Sequence, residues 1–220
     1  MGGIFLLKKK SASAKALEKA TAGMEDLFNR MRASKQIPVL DIRAHIMPVL
    51  FDLLHAGDLV ECLAVLQREG HYESHHAVAV SLIAASIGKW MGLDRPALSR
   101  LTMAALLHDA GKVYVPPGLL EKRELDPSAF DLIKTHTVYG YKMINETVGL
   151  GRQHALVALQ HHERLDGSGY PLGIDGSRHH ARFVRPPAAG RPDRTFVLQP
   201  ESPQRPGHRA GRPRLTAGCR

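Results

Sequence analysis

Apolar residues recur at helical spacing near the start of the chain, over residues 15–33. Steps of three and four residues separate the members of this stripe: Leu17, Ala20, Met24, Leu27 and Met31. Such spacing places them on one face of a helix. We interpret the segment as a helix packed on the core of its own chain. A dimerising coiled coil is the alternative, although the segment is short for one.

The same kind of periodicity predicts helices along most of the remaining chain, with Ser74 as a candidate N-cap and Pro96 opening a helix that runs to His108. The other predicted helices cover residues 41–56, 58–69, 74–91, 128–147 and 152–163. Residues 113–127 contain three prolines and are predicted to form a loop. No segment alternates as a strand would, so the predicted fold class is all-α.

Net charge changes the picture only at one end of the chain. The formal charge is +9, but residues 172–220 hold ten arginines, no lysine and three acids, which leaves the rest nearly neutral. This stretch also holds seven prolines and little apolar periodicity, so we predict a disordered tail over 177–220. A natural basic tail and a frameshifted reading of a GC-rich gene both fit its composition. We do not expect it to bind nucleic acid.

Cysteine usage and the N-terminus point to the cytoplasm. Cys62 and Cys219 lie far apart without redox or metal-site spacing. The apolar run at residues 4–7 is too short for a secretory core or a membrane span, and Leu6 breaks the myristoylation pattern. We therefore predict a cytoplasmic protein without a membrane span.

Histidine is frequent, with 13 in 220 residues, and its spacing matters more than its number. His108 and Asp109 directly follow an apolar helix, where burying a carboxylate without a cation is costly. A divalent metal removes that cost, because imidazole and carboxylate are both good ligands. A plain His-Asp hydrogen bond is the alternative for this pair. His76, His136 and the pair at 161–162 lie on other predicted helices, which a bundle can bring together.

These residues fall in the string H-x(31)-HDAGK-x(23)-H-x(24)-HHERLDGSGYP, which resembles the HD-GYP family of HD phosphohydrolases. The resemblance covers roughly residues 71–176 and implies a helical bundle that hydrolyses the bacterial messenger cyclic di-GMP. It also implies two divalent ions, iron or manganese, bridged by Asp109. His76 and His108 would bind the first ion. The implied ligands of the second are His136, His161 and His162.

The resemblance further implies catalytic and substrate-binding roles beyond the metal ligands. Lys112 is expected to hold a phosphate oxygen and stabilise charge in the transition state; a helix C-terminal cation is the alternative reading. The expected substrate-binding residues are Arg164, Gly167, Gly169, Tyr170 and Pro171. We expect the glycines to allow close backbone approach to the ligand and Tyr170 to stack on guanine or bond to phosphate. A plain Gly-Tyr-Pro turn is the alternative.

Two positions depart from the family pattern. An aspartate expected about nineteen residues after the Gly-Tyr-Pro loop is Gly190 here, and Asp193 lies among prolines that would not hold it on a helix. Tyr72 replaces a glutamate that some relatives use for a third ion, so two ions are expected.

The predicted organisation is therefore an N-terminal helical segment (1–70), an HD-GYP domain incomplete at its C-terminal end (71–176) and the basic tail (177–220). The function predicted is metal-dependent hydrolysis of cyclic di-GMP to linear pGpG, GMP or both. A truncated, catalytically weak domain that binds nucleotide or protein is the alternative. A homodimer through the first helix is the further partner predicted.

Overall fold

The computed structural model describes residues 11–57, 59–66, 72–122, 124–164 and 166–174, and these residues are mostly helical, with no β-strand among them. The predicted tail, Gly190, Asp193 and the domain boundary at residue 70 lie outside the described residues. The helices are α1 (Ala12–Ser34), α2 (Val39–Asp41), α3 (Met47–Ala56), α4 (Leu59–Leu66), α5 (Tyr72–Trp90), α6 (Arg95–Leu107), α7 (Pro117–Leu120), α8 (Pro127–Lys134), α9 (His136–Asn145) and α10 (Arg152–Gln160). A π-helical turn (Ile42–Ile46) joins α2 to α3, and a 3-10 turn (Ala110–Tyr114) follows α6.

Helix α1 buries its apolar stripe in the core of its own chain, as the packing interpretation predicts. All five stripe residues are at most 4% exposed, and they share one apolar cluster with residues of α3, α5, α6, α9 and α10. The helix starts at Ser11, whose Oγ accepts from the backbone N–H of Ala14 at 3.1 Å. A homodimer through α1 stays a prediction, and it would have to use a different face.

Helices α5, α6, α9 and α10 form the part of the bundle that carries the histidines. Helix α5 packs along α6, α10 packs against both α6 and α9, and the 3-10 turn lies against α9. Gly111 in that turn makes this approach feasible, because a Cβ there would lie 1.9 Å from the carbonyl oxygen of His136. The 3-10 turn and the start of α9 are thus held in direct backbone contact.

Several predicted boundaries were wrong for local reasons. Ser74 is not an N-cap, since α5 begins at Tyr72 and Ser74 is buried inside it. The helix predicted over 128–147 is broken at Thr135 into α8 and α9. Asp94 and Asp126 are the N-caps of α6 and α8, each accepting from a backbone N–H three residues on and each followed by proline in the first turn. An aspartate just before such a proline is a signal that sequence reasoning could have used.

The prolines of 113–127 do not exclude helix, since the short helix α7 begins at Pro117. Among the described residues, no helix combines the length and apolar character needed to cross a bilayer. Cys62 is buried in the core, and Cys219 lies outside the described residues.

Candidate metal centre and adjoining cleft

Asp109 is the central residue of the candidate site, because its two carboxylate oxygens face different histidines. Its Oδ2 lies 3.2 Å from Nε2 of His108 and 3.6 Å from Nε2 of His76. Its Oδ1 lies 3.2 Å from Nε2 of His136 and 3.4 Å from Nε2 of His161. One buried carboxylate therefore connects two groups of imidazoles.

Four separate elements bring these side chains together. His76 comes from the first turns of α5, and His108 and Asp109 follow the end of α6. His136 is the first residue of α9, directly after the break at Thr135. His161 and His162 lie in the turn after α10, where the chain leaves the helix. Neighbouring positions inside a helix point about 100° apart, and these two histidines avoid that constraint because they lie beyond the end of α10.

Hydrogen bonds at the far side of each ring fix which nitrogen faces the centre. Nδ1 of His108 donates to the carbonyl oxygen of Ala105 at 2.7 Å. The same pattern holds for His136 with Ile133 at 2.6 Å and for His161 with Ala158 at 3.0 Å. A carbonyl oxygen only accepts, so Nδ1 of each ring carries a proton and Nε2 is the nitrogen that faces the centre and can bind a metal ion.

The resulting arrangement of lone pairs fits metal ions. Nε2 of His76 and His108 are 3.3 Å apart, and so are Nε2 of His136 and His161. Two lone pairs at that distance repel unless a cation lies between them. In addition, Asp109 Oδ1 is buried without a hydrogen-bond donor. The two sets of ligand atoms are His76, His108 and Asp109, and Asp109, His136, His161 and His162.

The protonation states also suit metal binding, which requires neutral imidazole and ionised carboxylate. Burial lowers the pKa of His76 and of His161, and it lowers the pKa of His162 to about 4, helped by the nearby His161 and His136. Burial raises the pKa of Asp109, but its contacts with His108, His136 and His161 outweigh this and hold that pKa well below its usual value.

His75, the neighbour of His76, points away from the candidate metal centre. Its Nδ1 faces the carbonyl oxygen of Leu66 at 3.4 Å, and it belongs to neither described ligand set. Lys112 lies in the 3-10 turn, where its Nζ is 2.7 Å from Asp109 Oδ2. The ammonium of Lys112 thus lies beside the candidate metal centre, in the last part of the 3-10 turn.

A cleft of about 470 Å³ adjoins the second ligand set and is lined by the Gly-Tyr-Pro loop and by α8. The ring of Tyr170 stacks on His162, with centroids 4.6 Å apart and planes 22° apart. Burial raises the pKa of Tyr170 to about 12, with a further contribution from the charge of Asp109, so the phenol keeps its proton at neutral pH. Arg164 also lines the cleft and is mostly exposed, 3.6 Å from Asp166. Pro171 follows Tyr170 through a cis peptide bond.

The structure shows that Gly167 and Gly169 are required by the backbone conformation of the loop, apart from any contact with a ligand. A Cβ on Gly169 would lie 2.4 Å from the backbone nitrogen of Arg164 and 2.6 Å from the carbonyl oxygen of His162. Gly167 has a φ of +75°, a conformation that other residues rarely adopt. Both glycines are therefore needed by the fold of the loop itself, and their contact with substrate stays a prediction.

Sequence reasoning missed three residues of this cleft. Glu163 ties the loop down, since its two carboxylate oxygens accept from the backbone N–H groups of Leu172 at 2.7 Å and Ile174 at 3.1 Å. Phe130 and Lys134 come from α8 and also line the cleft. The sequence held no signal for the latter two, because their helix and the loop lie far apart along the chain.

The fold and the site together define a helical bundle in which one buried aspartate joins two sets of histidines. The chain belongs to the HD domain family, whose model matches residues 59–178. HD domains bind divalent metals, and the histidine and aspartate clusters of this chain could hold such ions.

Relatives of known function agree with this family. A cyclic di-GMP phosphodiesterase of Thermotoga maritima is 34% identical over 123 residues, 53% of this chain and 33% of its own length. One of Pseudomonas aeruginosa is 30% identical over 174 residues, 72% of this chain and 41% of its own. A 3'3'-cGAMP-specific phosphodiesterase of Vibrio cholerae is 29% identical over 123 residues, which are 51% of this chain and 26% of that protein's length. The chain thus spans about a quarter to two fifths of these relatives.

Proposed function

We propose that this chain is a metal-dependent phosphodiesterase that hydrolyses cyclic di-GMP to linear pGpG, GMP or both. The observation that carries the proposal is the carboxylate of Asp109, which offers one oxygen to each of two histidine sets. The names of the relatives support the choice of a cyclic dinucleotide as substrate.

Two divalent ions, iron or manganese, are proposed at this centre, and Asp109 would offer one carboxylate oxygen to each of them. His76 and His108 would complete the first site, while His136, His161 and His162 would complete the second. Bound there, divalent ions supply a water of lowered pKa and neutralise charge on the phosphate.

The chain's own residues then position the ester and receive its charge. Hydrolysis to pGpG joins a water oxygen to phosphorus and breaks the bond to the 3' oxygen, which leaves with a proton. Lys112 lies 2.7 Å from the bridging carboxylate, where its ammonium can stabilise the negative charge that develops on the phosphoryl oxygens. Tyr170 stays protonated and can donate to the substrate, and Arg164 at the cleft mouth can contact phosphate.

The test is hydrolysis of cyclic di-GMP under anaerobic conditions with Mn²⁺ or Fe²⁺, followed by chromatography of the products and by metal analysis. Asp109→Asn keeps the size of the side chain but removes its charge. We expect this variant to lose at least one ion and its turnover to fall by more than about 100-fold. That loss exceeds the effect typical of substituting a residue that only hydrogen-bonds to a metal ligand. His45→Asn is the matched control, because His45 is exposed and belongs to neither ligand set.

The second candidate is a domain that binds nucleotide with little turnover. It is favoured by the unequal ligand sets, since the described residues give three ligands to one set and four to the other. Binding of cyclic di-GMP without release of linear product would support this candidate over the enzyme. Retention of both ions in Asp109→Asn would contradict the bridging role.

A further inference from the structure

The cleft beside the candidate metal centre extends beyond the histidines and is large enough to hold a small molecule. Its volume of about 470 Å³ lies within the range of about 300–1,000 Å³ that is usual for small-molecule sites. His161 and His162 form one end of it, so a molecule in the cleft would touch the second ligand set directly. Its other end is formed by residues of α8, which belong to neither ligand set.

An aromatic corner forms this other end. Phe130 is 43% exposed, which is high for a large apolar side chain on an amphipathic helix. Its ring meets that of Tyr170 edge to face, with centroids 6.3 Å apart and planes 78° apart. Two aromatic rings at such an angle offer one ring face and one ring edge to a flat ligand. All four nucleobases can stack on an aromatic side chain, because each base has a π face.

A lysine cation lies over the same corner. Nζ of Lys134 is 4.6 Å from the centroid of Phe130 and 5.7 Å from that of Tyr170. Its ion pair with Asp131 is 2.9 Å long, but the side chain of Asp131 is 72% exposed, so solvent weakens the attraction. The ammonium group therefore remains a donor for a stronger anion that enters the cleft.

The position of Lys134 relative to the metal centre is fixed by the break between α8 and α9. The carbonyl oxygen of Ile133 accepts from Nδ1 of His136 at 2.6 Å. The carbonyl oxygen of Lys134 accepts from Oγ1 of Thr137 at 2.9 Å. The backbone on either side of the Ile133–Lys134 peptide bond is thus hydrogen-bonded to the first turn of α9, where His136 lies.

We propose that Phe130 and Lys134, together with Tyr170, form the subsite for the second nucleotide of a cyclic dinucleotide. The base lies in the aromatic corner, and the Lys134 ammonium binds the phosphate that is not under attack. This subsite rests on the proposed function, because the first phosphate must lie at the metal centre. It adds two specificity-determining residues outside the metal and Gly-Tyr-Pro motifs.

The experiment compares the metal-loaded parent chain with Lys134→Gln. We expect KM for cyclic di-GMP to rise about tenfold, as for loss of a charge-assisted hydrogen bond, with a much smaller change in kcat. The loss in kcat/KM should be at least about fivefold greater for cyclic di-GMP than for bis(p-nitrophenyl) phosphate, which has no second nucleotide. Lys142→Gln is the matched control, because it removes the same charge from an exposed position that lines a different cavity.

Phe130→Leu tests the aromatic corner in the same way, and Phe130→Tyr should restore KM because it restores the ring. An unchanged KM in Lys134→Gln, or an equal loss on both substrates, would refute the subsite. Calorimetric binding of cyclic di-GMP separates the two proposals. A parent chain that binds but does not hydrolyse refutes the proposed enzyme alone, whereas Lys134→Gln binding as tightly as the parent refutes the subsite.

Discussion

Gly111 is the residue at which packing and metal binding are most directly coupled. It lies two residues after Asp109, in the 3-10 turn, and its Cα faces the first turn of α9. A Cβ at this position would lie 1.9 Å from the carbonyl oxygen of His136 and 2.4 Å from the backbone nitrogen of Gly140. Both contacts are with backbone, so no side-chain rotation can relieve them. Gly111→Ala must therefore separate the turn from α9.

The size of this separation sets the expected magnitude. Interiors are close-packed, so the two elements must move apart by about 1 Å or more before the contact becomes tolerable. Overpacking costs about 1–3 kcal/mol where side chains can adjust, and we expect about 3 kcal/mol or more here. That corresponds to a fall in Tm of about 6–12 °C for a chain of this size. Metal–ligand distances tolerate only about 0.2 Å, so an ion should be lost as well.

The assay is urea unfolding of the metal-free and metal-loaded chains, with metal content measured on the same samples. Gly118→Ala is the matched control, because a Cβ on Gly118 would meet nothing within 4 Å. We expect that control to keep or slightly increase the free energy of unfolding, as alanine favours helix. Gly111→Ala with parental stability and two bound ions would refute the argument that backbone contact positions Asp109 against His136.

Two further predictions concern single side chains. Glu163→Gln leaves one of the backbone N–H groups of Leu172 and Ile174 without its carboxylate acceptor. We therefore expect KM for cyclic di-GMP to rise several-fold while Tm changes little. A parental KM would contradict the role of Glu163 in holding the loop. Burial, with the charges of Arg43 and Arg100, lowers the pKa of His154 in the folded chain below its ordinary value of 6.5. As the pH falls below about 6.5, the unfolded chain therefore binds a proton at this histidine before the folded chain does, and the free energy of unfolding decreases. His154→Gln should reduce this fall in urea unfolding between pH 7.5 and 5 relative to the parent, and equal pH dependence in both chains would refute it.

Much of the fold could be predicted because helices are specified locally. The stripe of α1 and the apolar faces of later segments follow from periodicity alone, and the all-α class follows from them. The break at Thr135 could not be found in this way. The apolar periodicity continues across it, so the pattern predicts one helix. At the break, Nδ1 of His136 bonds to the carbonyl oxygen of Ile133, and this contact orients a side chain whose partners come from distant parts of the chain.

The candidate site divides in the same manner. Residue types and motif spacing picked out His76, His108, Asp109, His136 and the pair at 161–162, since ligand chemistry is a property of each side chain. Which oxygen of Asp109 faces which histidine depended on how α5, α6, α9 and α10 pack.

The sequence by itself determined the helical class, the candidate metal ligands and the position of the Gly-Tyr-Pro loop. Only the tertiary structure decided that Phe130 and Lys134 face Tyr170, that Glu163 holds the loop, and that Gly111 must lack a side chain. The physical reason is range. Helix periodicity and ligand chemistry act over a few residues, whereas a cleft is defined by side chains that meet after distant segments have packed.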